Sequence, residues 1–515
     1  MNPGFAALDW VVVGLYLALL VGGGWAFSRA GSRDAHDYFL AGRSVPAWLA
    51  AVSVLSATQS AATFLGGPDY SYRLDFTYLG GVASAIAAAV FVARVLIPRF
   101  YAVQATTVYE LLARRYDARA MRWAGGMFLI GRVLAGGARV YLAAIAIAMV
   151  MFESVDASGI IVAAGFVMLA GFLFTFIGGL RAVLWNDLIQ FVIYVGAAVA
   201  VLVYLRWQIP ADNAALWRAL TAPPTGPSKL RLFDLSADLT NSFSILAVCT
   251  GLFLLNVGNA GLDQDTTQRL LASPDAKTGA RGLILSQVAS VPLIALFMGI
   301  GALLYVFYQR PDVMGVANDA RASFAGEKVS IFVHYILTEV PPGLRGLVTI
   351  GVTAAAVATT NSALNAMSSV LITDFYRPWR ERHGAAPERH FVIAGRWGMA
   401  VVGVLMFAMA VLSFYWQRYT DMPLLEFALQ VMVFAYAGLL GVYFVAVFTT
   451  RGTTASVIAG LLAGFGVVLA LQPFTFGPVL APGLAFPFQL CLGTLVAALV
   501  CAAPSGRVRT AASGC

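Results

Sequence analysis

Long apolar runs recur along this chain, separated by short polar segments, and they constrain its fold more than any other feature. A helix that crosses the hydrocarbon core of a bilayer needs about 20 mostly apolar residues, and thirteen runs of this kind can be counted. Only 11% of the 515 residues are charged, against about 25% in a soluble domain. The sequence therefore predicts an all-α polytopic membrane protein with about thirteen transmembrane helices. Numbered from zero, the predicted spans are residues 9–27, 47–66, 76–98, 123–152, 158–178, 182–205, 242–262, 281–307, 344–372, 391–414, 423–448, 454–472 and 483–502.

The connecting segments are too short to fold as separate soluble domains, so residues 1–515 are predicted to form a single membrane domain. Two loops are longer than the others, residues 206–241 and 308–343, and both are predicted to lie outside the cell. Within the second loop, residues 315–340 have the pattern of an amphipathic helix lying outside the bilayer.

The placement of the basic residues predicts the orientation. Cytoplasmic loops carry an excess of Lys and Arg. With the N-terminus outside and the C-terminus in the cytoplasm, 20 of the 33 Lys and Arg fall in cytoplasmic segments, three of them in residues 269–281, while ten fall outside and three lie within spans. We therefore expect a multi-pass protein of the cell membrane, in contact with the lipid bilayer. Because the excess of basic over acidic residues is explained by topology, no nucleic-acid partner is expected.

Signals for enzyme chemistry are missing from the sequence. It contains no G-x-S-x-G or Walker-type motif, its four histidines have no partner at zinc-ligand spacing, and its four cysteines form no C-x-x-C pair. We expect no catalytic residues and no transition metal.

Spans 1 and 6 are unusually polar and correspond in position, five spans apart. Discontinuous helices at corresponding positions of two halves hold ions and substrates near the membrane midplane. The alternative is that these groups only join helices by hydrogen bonds. The polar groups are Ser53, Ser56, Thr58, Gln59, Ser60 and Thr63 in span 1, and Asn256 and Asn259, with Gly258 and Gly261, in span 6.

Span 8 carries a stripe of small and hydroxyl-bearing residues. Ala355, Thr359 and Ser362 share one face, with Asn361 beside them. Hydroxyl and carbonyl oxygens suit Na⁺, although small residues also serve close helix packing.

Ionisable residues inside spans are functional candidates. Asp187 lies in span 5, where it could bind an ion or instead pair with Arg181 near the cytoplasmic interface. Arg132 and Arg139 lie two turns apart on one face of span 3. A guanidinium binds a carboxylate through two parallel hydrogen bonds, so either arginine could hold an acidic substrate, and either could be structural.

Four blocks of sequence resemble the sodium:solute symporter family, whose members include transporters for sugars, sialic acid, proline, monocarboxylates and iodide. These blocks are DYFLAGRS (37–44), FTFIGGLRAVLWNDLIQ (174–190), LDQDTTQRLLA (262–272) and ATTNSALNAMSSVLITDFY (358–376). The resemblance implies a LeuT-like fold, with two inverted five-helix repeats at residues 44–205 and 242–448. One peripheral helix would precede them at 9–27, and two would follow them at 454–502.

The resemblance also implies ion and substrate sites, and the transport of one or two Na⁺. A principal sodium site would use the backbone carbonyls of Ser56, Gln59 and Ala355 and the side chains at positions 358 and 359. Thr359 fits, but Ala358 stands where relatives usually carry serine. A second sodium site would comprise Asp187, Asn361 and Ser362. Substrate would contact Thr58, Ser60, Thr63, Asn256, Asn259 and either Arg132 or Arg139.

The function that the resemblance implies is sodium-coupled symport by alternating access, acting as a monomer. The substrate would be a small polar organic solute, such as a sugar, sialic acid or another organic anion. The alternatives are a sodium-coupled amino-acid or monocarboxylate symporter, and a transporter-like solute sensor or channel.

Overall fold

The computed structural model describes residues 5–28, 35–152, 156–318, 323–324, 327–328, 330–417, 424–472 and 474–503. Within these ranges the chain is almost entirely helical. The helices are α1 Ala7–Ser28, α2 Ala35–Leu40, α3 Ala47–Thr58, α4 Ala61–Arg73, α5 Thr77–Val95, α6 Ile97–Ala102, α7 Glu110–Arg115, α8 Ala118–Phe152, α9 Ala157–Gln208, α10 Asn213–Thr221, α11 Ile245–Ala247, α12 Phe253–Gly261, α13 Gln264–Leu271, α14 Ala276–Gln309, α15 Pro311–Met314, α16 Ile331–Thr338, α17 Leu344–Val370, α18 Arg377–Arg382, α19 Glu388–Gln417, α20 Leu424–Phe448, α21 Thr454–Ala470, α22 Gly477–Leu480 and α23 Phe486–Ala502. A 3₁₀ turn covers Ala41–Arg43, and wide π turns cover Val248–Leu252 and Leu371–Tyr376.

The helical, multi-pass architecture predicted from the apolar runs is confirmed. Seven described helices are long and apolar enough to cross a membrane, and two bent helix pairs raise that number to nine. Four shorter apolar helices, in α1, the first part of α9, α21 and α23, coincide with the remaining predicted spans. Since these four apolar stretches lie at or below the lower end of the length range for crossing a bilayer, the number thirteen stays a prediction.

The two bent pairs correspond to predicted spans 1 and 6. Helices α3 and α4 meet at 65°, and the helical run Ile245–Gly261 meets α13 at 51°. The first break falls inside the polar segment of span 1, whereas the second falls at Leu262 and Asp263, just after the polar segment of span 6, which is helical, and at the predicted end of that span. Helix α17 packs along α9 and also contacts α3 and α8, so it runs beside the first break.

The predicted amphipathic helix over 315–340 is wrong in extent. Helix α15 ends at Gly315, which adopts a left-handed φ of 75°, a conformation that favours glycine and terminates helices. An antiparallel strand pair, Ser323–Phe324 with Glu327–Lys328, follows. Helix resumes only at Ile331, where the Ser330 side chain caps α16 by accepting from the Val333 amide. Residues 319–322, 325–326 and 329 lie outside the described part of the chain.

Predicted spans 4 and 5 follow one another without a loop within α9, where two helices meet in a kink at Gly179. Gly179 has φ 58° and ψ −158°, a region of backbone space that is essentially limited to glycine. A Cβ atom at this position would lie 2.6 Å from the carbonyl oxygen of Tyr38. The kink therefore requires glycine both for its torsion angles and for its close approach to α2.

We expect Gly179→Ala to lower the stability of the protein by about 1–3 kcal/mol, the usual cost of forcing a side chain into such a conformation. Thermal unfolding of the detergent-solubilised protein measures the effect. Gly196→Ala is the matched control, because it lies in the same helix with nothing within 4 Å of the added Cβ. It should leave stability unchanged or raise it by about 0.5–1 kcal/mol. Equal losses in the two variants would contradict the interpretation.

Candidate functional site

The first break lies between α3 and α4 and is formed by two extended residues. Gln59 has ψ 110° and Ser60 has ψ 178°, and the Ser60 hydroxyl caps α4 by accepting from the Ala62 amide at 3.2 Å. The Leu55 carbonyl accepts from the Gln59 amide at 3.0 Å, but because α3 stops at Thr58 the carbonyls that follow it in the last turn lack a helical amide one turn ahead. The side-chain oxygens Ser56 Oγ and Gln59 Oε1 are also buried, and neither has a hydrogen-bond partner among the described residues. The break is thus rich in unpaired oxygen atoms.

Helix α17 supplies the facing oxygens. The Thr359 hydroxyl donates to the carbonyl of Ala355 at 2.7 Å, and the Ser362 hydroxyl donates to the carbonyl of Ala358 at 2.7 Å. All four residues are buried. Ser60 and Thr359 line one small cavity, so the structure brings the two predicted ion-binding segments together. Buried oxygens without protein donors suit a hard cation such as Na⁺.

A second cavity, of about 120 Å³, opens on the other side of the break. Of the predicted substrate residues, Thr58, Asn256, Asn259 and Arg139 line it, together with Gln59. Three predicted residues do not: Ser60 lines the small neighbouring cavity, Thr63 is buried in α4, and Arg132 is ion-paired elsewhere.

Several lining residues were not anticipated from the sequence. They are Tyr78, Phe243, Gln287, Ser290 and Met432. Gln287 and Ser290 did carry a signal, because they are polar residues three positions apart inside an apolar helix. The aromatic residues and Met432 are ordinary residues of a membrane span, and only the fold shows that they face a cavity.

The two arginines of α8 have different surroundings. Arg132 is ion-paired with two buried carboxylates, at 3.2 Å from Asp263 and in closer contact with Asp265. Tyr436 also donates to Asp263, at 2.6 Å. Arg139 has no carboxylate within salt-bridge distance among the described residues. Its Nη2 lies 3.1 Å from the Met432 sulfur, and the side chain lines the 120 Å³ cavity.

Asp187 is buried and pairs with a residue that the sequence reasoning missed. Its Oδ2 lies 3.2 Å from Nη2 of Arg269, and it also accepts a short hydrogen bond from Ser53. The alternative partner, Arg181, instead contacts Asp37 at 3.7 Å, so Asp187 and Arg181 form no direct pair among the described residues. Arg269 was counted among the cytoplasmic basic residues, yet its side chain is 1% exposed.

Arg269 joins the elements of the predicted second sodium site. Its Nε donates to Ser53 at 2.7 Å, its Nη1 lies 2.7 Å from Asp265, and its Nη2 donates to Ser362. Asn361 lies apart from this cluster: its amide nitrogen can donate to the Gly171 carbonyl at 2.7 Å and its oxygen can accept from Asn186 at 2.6 Å. The structure therefore brings Asp187 and Ser362 together around a guanidinium, with Asn361 engaged against α9.

Comparison with known proteins identifies the family. Residues 38–464 match the model of the sodium:solute symporter family. The chain belongs to this family. It is 27% identical to the sodium/sialic acid symporter SiaT of Proteus mirabilis (strain HI4320), covering 91% of this chain and 90% of that protein. It is also 27% identical to the sodium/sialic acid symporter NanT of Aliivibrio fischeri (strain ATCC 700601 / ES114), over 96% and 92% of the two chains, and 26% identical to the human sodium/iodide cotransporter, over 91% and 70%.

A solved structure confirms the fold. The substrate-bound outward-open state of a Na⁺-coupled sialic acid symporter superposes with a TM-score of 0.81 at 24% identity, covering 97% of this chain and 98% of that one. At 24% identity this similarity is evidence for the fold only. It confirms the predicted LeuT-like fold. The bounds of the two repeats stay predictions. As a member of this family the protein is a sodium-coupled symporter of a small solute, and Na⁺ is the coupled ion.

Proposed function

We propose that this symporter imports a small carboxylated solute, such as an acidic sugar of the sialic acid type. The observation that carries the proposal is Arg139, a cation without a carboxylate partner among the described residues, on the wall of a cavity that amides, hydroxyls and aromatic rings line together with apolar side chains. A buried charge is normally paired, and a substrate carboxylate would pair this one. Two of the relatives named above are sialic acid symporters, which agrees with this chemistry.

Uptake into proteoliposomes under an inward Na⁺ gradient tests the proposal. The substrates to compare are sialic acid, a neutral sugar, a monocarboxylate and an amino acid. We expect saturable, Na⁺-dependent uptake of the acidic sugar. Preferential uptake of a neutral sugar would overturn the proposal, and binding without uptake would favour the alternative of a solute sensor.

We further propose that the principal sodium site lies between the break of α3 and α4 and the facing turn of α17. The carbonyls of Ser56, Gln59 and Ala355 and the hydroxyl of Thr359 would hold the ion, and the unpaired, buried Ser56 Oγ and Gln59 Oε1 support this location. The ion would then tie the two helices together and favour the solute-binding form, because a ligand shifts an equilibrium by its differential affinity for the two states. Each Na⁺ entering across 100 mV contributes about 2.3 kcal/mol.

Position 358 offers a gain-of-function test of this site. Since Ala358 lacks the hydroxyl that relatives usually carry there, we expect Ala358→Ser to lower the Na⁺ concentration for half-maximal uptake by about three- to tenfold, which corresponds to one added ligand worth about 1 kcal/mol. Thr359→Ala should raise that concentration by a similar or larger factor. Thr353→Ala is the matched control, because the Thr353 hydroxyl is also buried and bonded to its own helix, at 2.8 Å from Thr349 O, and does not line the small cavity. An unchanged Na⁺ response in both of the first two variants would contradict the site.

For the second sodium site we propose that Asp187 and Ser362 bind Na⁺ only when Arg269 moves away, since its Nη2 contacts both. A Na⁺ ion and this guanidinium would therefore compete for the same oxygens. The number of Na⁺ ions carried per solute then depends on the position of one side chain.

The remaining features of the proposal are the oligomeric state of the protein, its membrane and its orientation. We propose that it acts as a monomer in the cell membrane, with the N-terminus outside and the C-terminus in the cytoplasm, and that it has no enzyme activity. Its relatives are transporters, and the distribution of Lys and Arg supports the orientation. Labelling of a cysteine introduced at Ser236, an exposed residue of the loop 206–241, from either side of the membrane would test the orientation. Light scattering would test the oligomeric state.

A further inference from the structure

A groove on the outer surface of the bundle lies between the start of α8, the π turn at 371–376, α18 and α19. Its volume is about 710 Å³. The floor is apolar, with Leu371, Ile393 and Val401 among its residues, and Trp379 and Trp397 stand on its walls. Arg122 is the cationic residue that lines it, and no carboxylate lines it in the described part of the chain.

The groove continues into a surface that faces hydrocarbon. Along α19, exposed apolar residues recur every three or four positions, which places them on one face of the helix. They are Ile393, Trp397, Val401, Val404, Leu405 and Leu412, and each is 45–68% exposed. Helix α19 is also one of the seven helices long and apolar enough to span a membrane. Lipid chains are the natural cover for such a face.

The polar end of the groove lies where a bilayer interface is expected. Trp and Tyr concentrate at the level of lipid headgroups, and Trp379, Trp397 and Tyr376 all line this groove. The adjoining segment 377–396 carries several arginines, and its two described acidic residues, Glu381 and Glu388, are both ion-paired with Arg377. The net charge at this end is therefore positive.

Arg122 is available to an anion. Its Nε donates to the carbonyl of Ala118 at 3.1 Å, and no carboxylate lies within salt-bridge distance of it among the residues that the structure describes. Its neighbour Arg119, in contrast, is paired with Asp117 at 3.2 Å. The groove thus offers one cation at its polar end and an apolar channel running along α19 toward the membrane interior.

We propose that this groove binds one acidic phospholipid, with the phosphate group on Arg122 and an acyl chain along the wall formed by Trp397 and Val401. Basic pockets between transmembrane helices are suited to anionic headgroups. The long apolar face of α19 would contact the acyl chain of a lipid, whereas a free phosphate would leave it uncovered. The proposal concerns a surface of the bundle that is separate from the solute cavity, so it stands independently of the proposed substrate.

Brominated lipids test the proposal, because bromine quenches a tryptophan that it contacts. Delipidated protein in detergent would be titrated with dibrominated phosphatidylglycerol or, separately, dibrominated phosphatidylcholine. The double variant Trp379→Phe/Trp397→Phe removes the two reporters, and the difference from the wild-type protein isolates their signal. We expect phosphatidylglycerol to bind about fivefold more tightly, the ratio that corresponds to about 1 kcal/mol for one arginine at an anionic lipid.

Two arginine variants decide whether Arg122 is responsible. Arg122→Gln should reduce the preference to about one, while Arg119→Gln, the neighbouring paired arginine, should leave it unchanged. Equal quenching by both lipids in the wild-type protein, or a preference that survives in Arg122→Gln, would overturn the proposal. Displacement of the brominated phosphatidylglycerol by millimolar inorganic phosphate would also overturn it, because the site would then bind a phosphate without needing a lipid.

Discussion

Replacing Arg139 with glutamine is expected to reduce the affinity for an acidic solute by at least about thirtyfold while leaving the protein folded. Removing one partner of a buried, hydrogen-bonded charge pair costs about 2–5 kcal/mol, and each 1.4 kcal/mol is a factor of ten. The carboxylate of the bound solute would lose its cation in a cavity of only about 120 Å³. Arg139→Lys should recover only part of the loss, because an ammonium group cannot reproduce the two parallel hydrogen bonds of a guanidinium.

The stability of the same variant separates a binding role from a structural one. Since Arg139 lacks a carboxylate partner among the described residues, Arg139→Gln removes a buried charge without orphaning another, and its unfolding temperature should stay the same or rise. Arg132→Gln is the comparison. It leaves Asp263 and Asp265 with one cation fewer, so it should lower the unfolding temperature markedly. Calorimetry measures solute binding by both variants, and thermal unfolding measures their stability. Full affinity in Arg139→Gln would exclude it as the carboxylate site.

The sequence placed Arg132 and Arg139 on one face of α8, but it could not show which of them binds substrate and which is structural. Their spacing of seven residues is fixed by the helix, whereas their partners come from α13 and α20, more than a hundred residues away. The breaks in spans 1 and 6 were predictable for the opposite reason, because polar residues and glycines interrupt an apolar run locally. Arg269 follows the second break in a polar block, which made it look cytoplasmic. Only the 51° bend of α13 carries it back into the bundle.

The ion-pair cluster around Arg269 gives the second large expected effect. Arg269→Gln would leave the buried Asp187 without its cation, and breaking a buried ion pair by removing one partner costs about 3–5 kcal/mol. If Asp187 and Ser362 bind Na⁺ once the guanidinium is gone, Na⁺ should restore much of that loss. A ligand at about 100 times its dissociation constant stabilises the folded state by about 2.7 kcal/mol.

We therefore expect the unfolding temperature of Arg269→Gln to rise much more steeply with NaCl than that of the wild-type protein, with choline chloride at equal ionic strength as the salt control. The double variant Asp187→Asn/Arg269→Gln supplies the matched protein control. It buries neither the Arg269 guanidinium nor the Asp187 carboxylate, so it should be more stable than Arg269→Gln in choline chloride, and it should lose the additional response to Na⁺.

The pattern across these three proteins distinguishes the two roles of Asp187. If Na⁺ stabilises Arg269→Gln more than it stabilises the double variant and the wild-type protein, Asp187 belongs to an ion site for which Arg269 is a built-in competitor. If Na⁺ stabilises both variants only as much as the wild-type protein, Asp187 serves solely as the partner of Arg269, and the second sodium site is wrong. The principal site would be unaffected by that result, since the side-chain hydrogen bonds of Arg269 go to Ser53, Asp187 and Ser362 and to Asp265. The Na⁺ response of Ala358→Ser would still test the principal site separately.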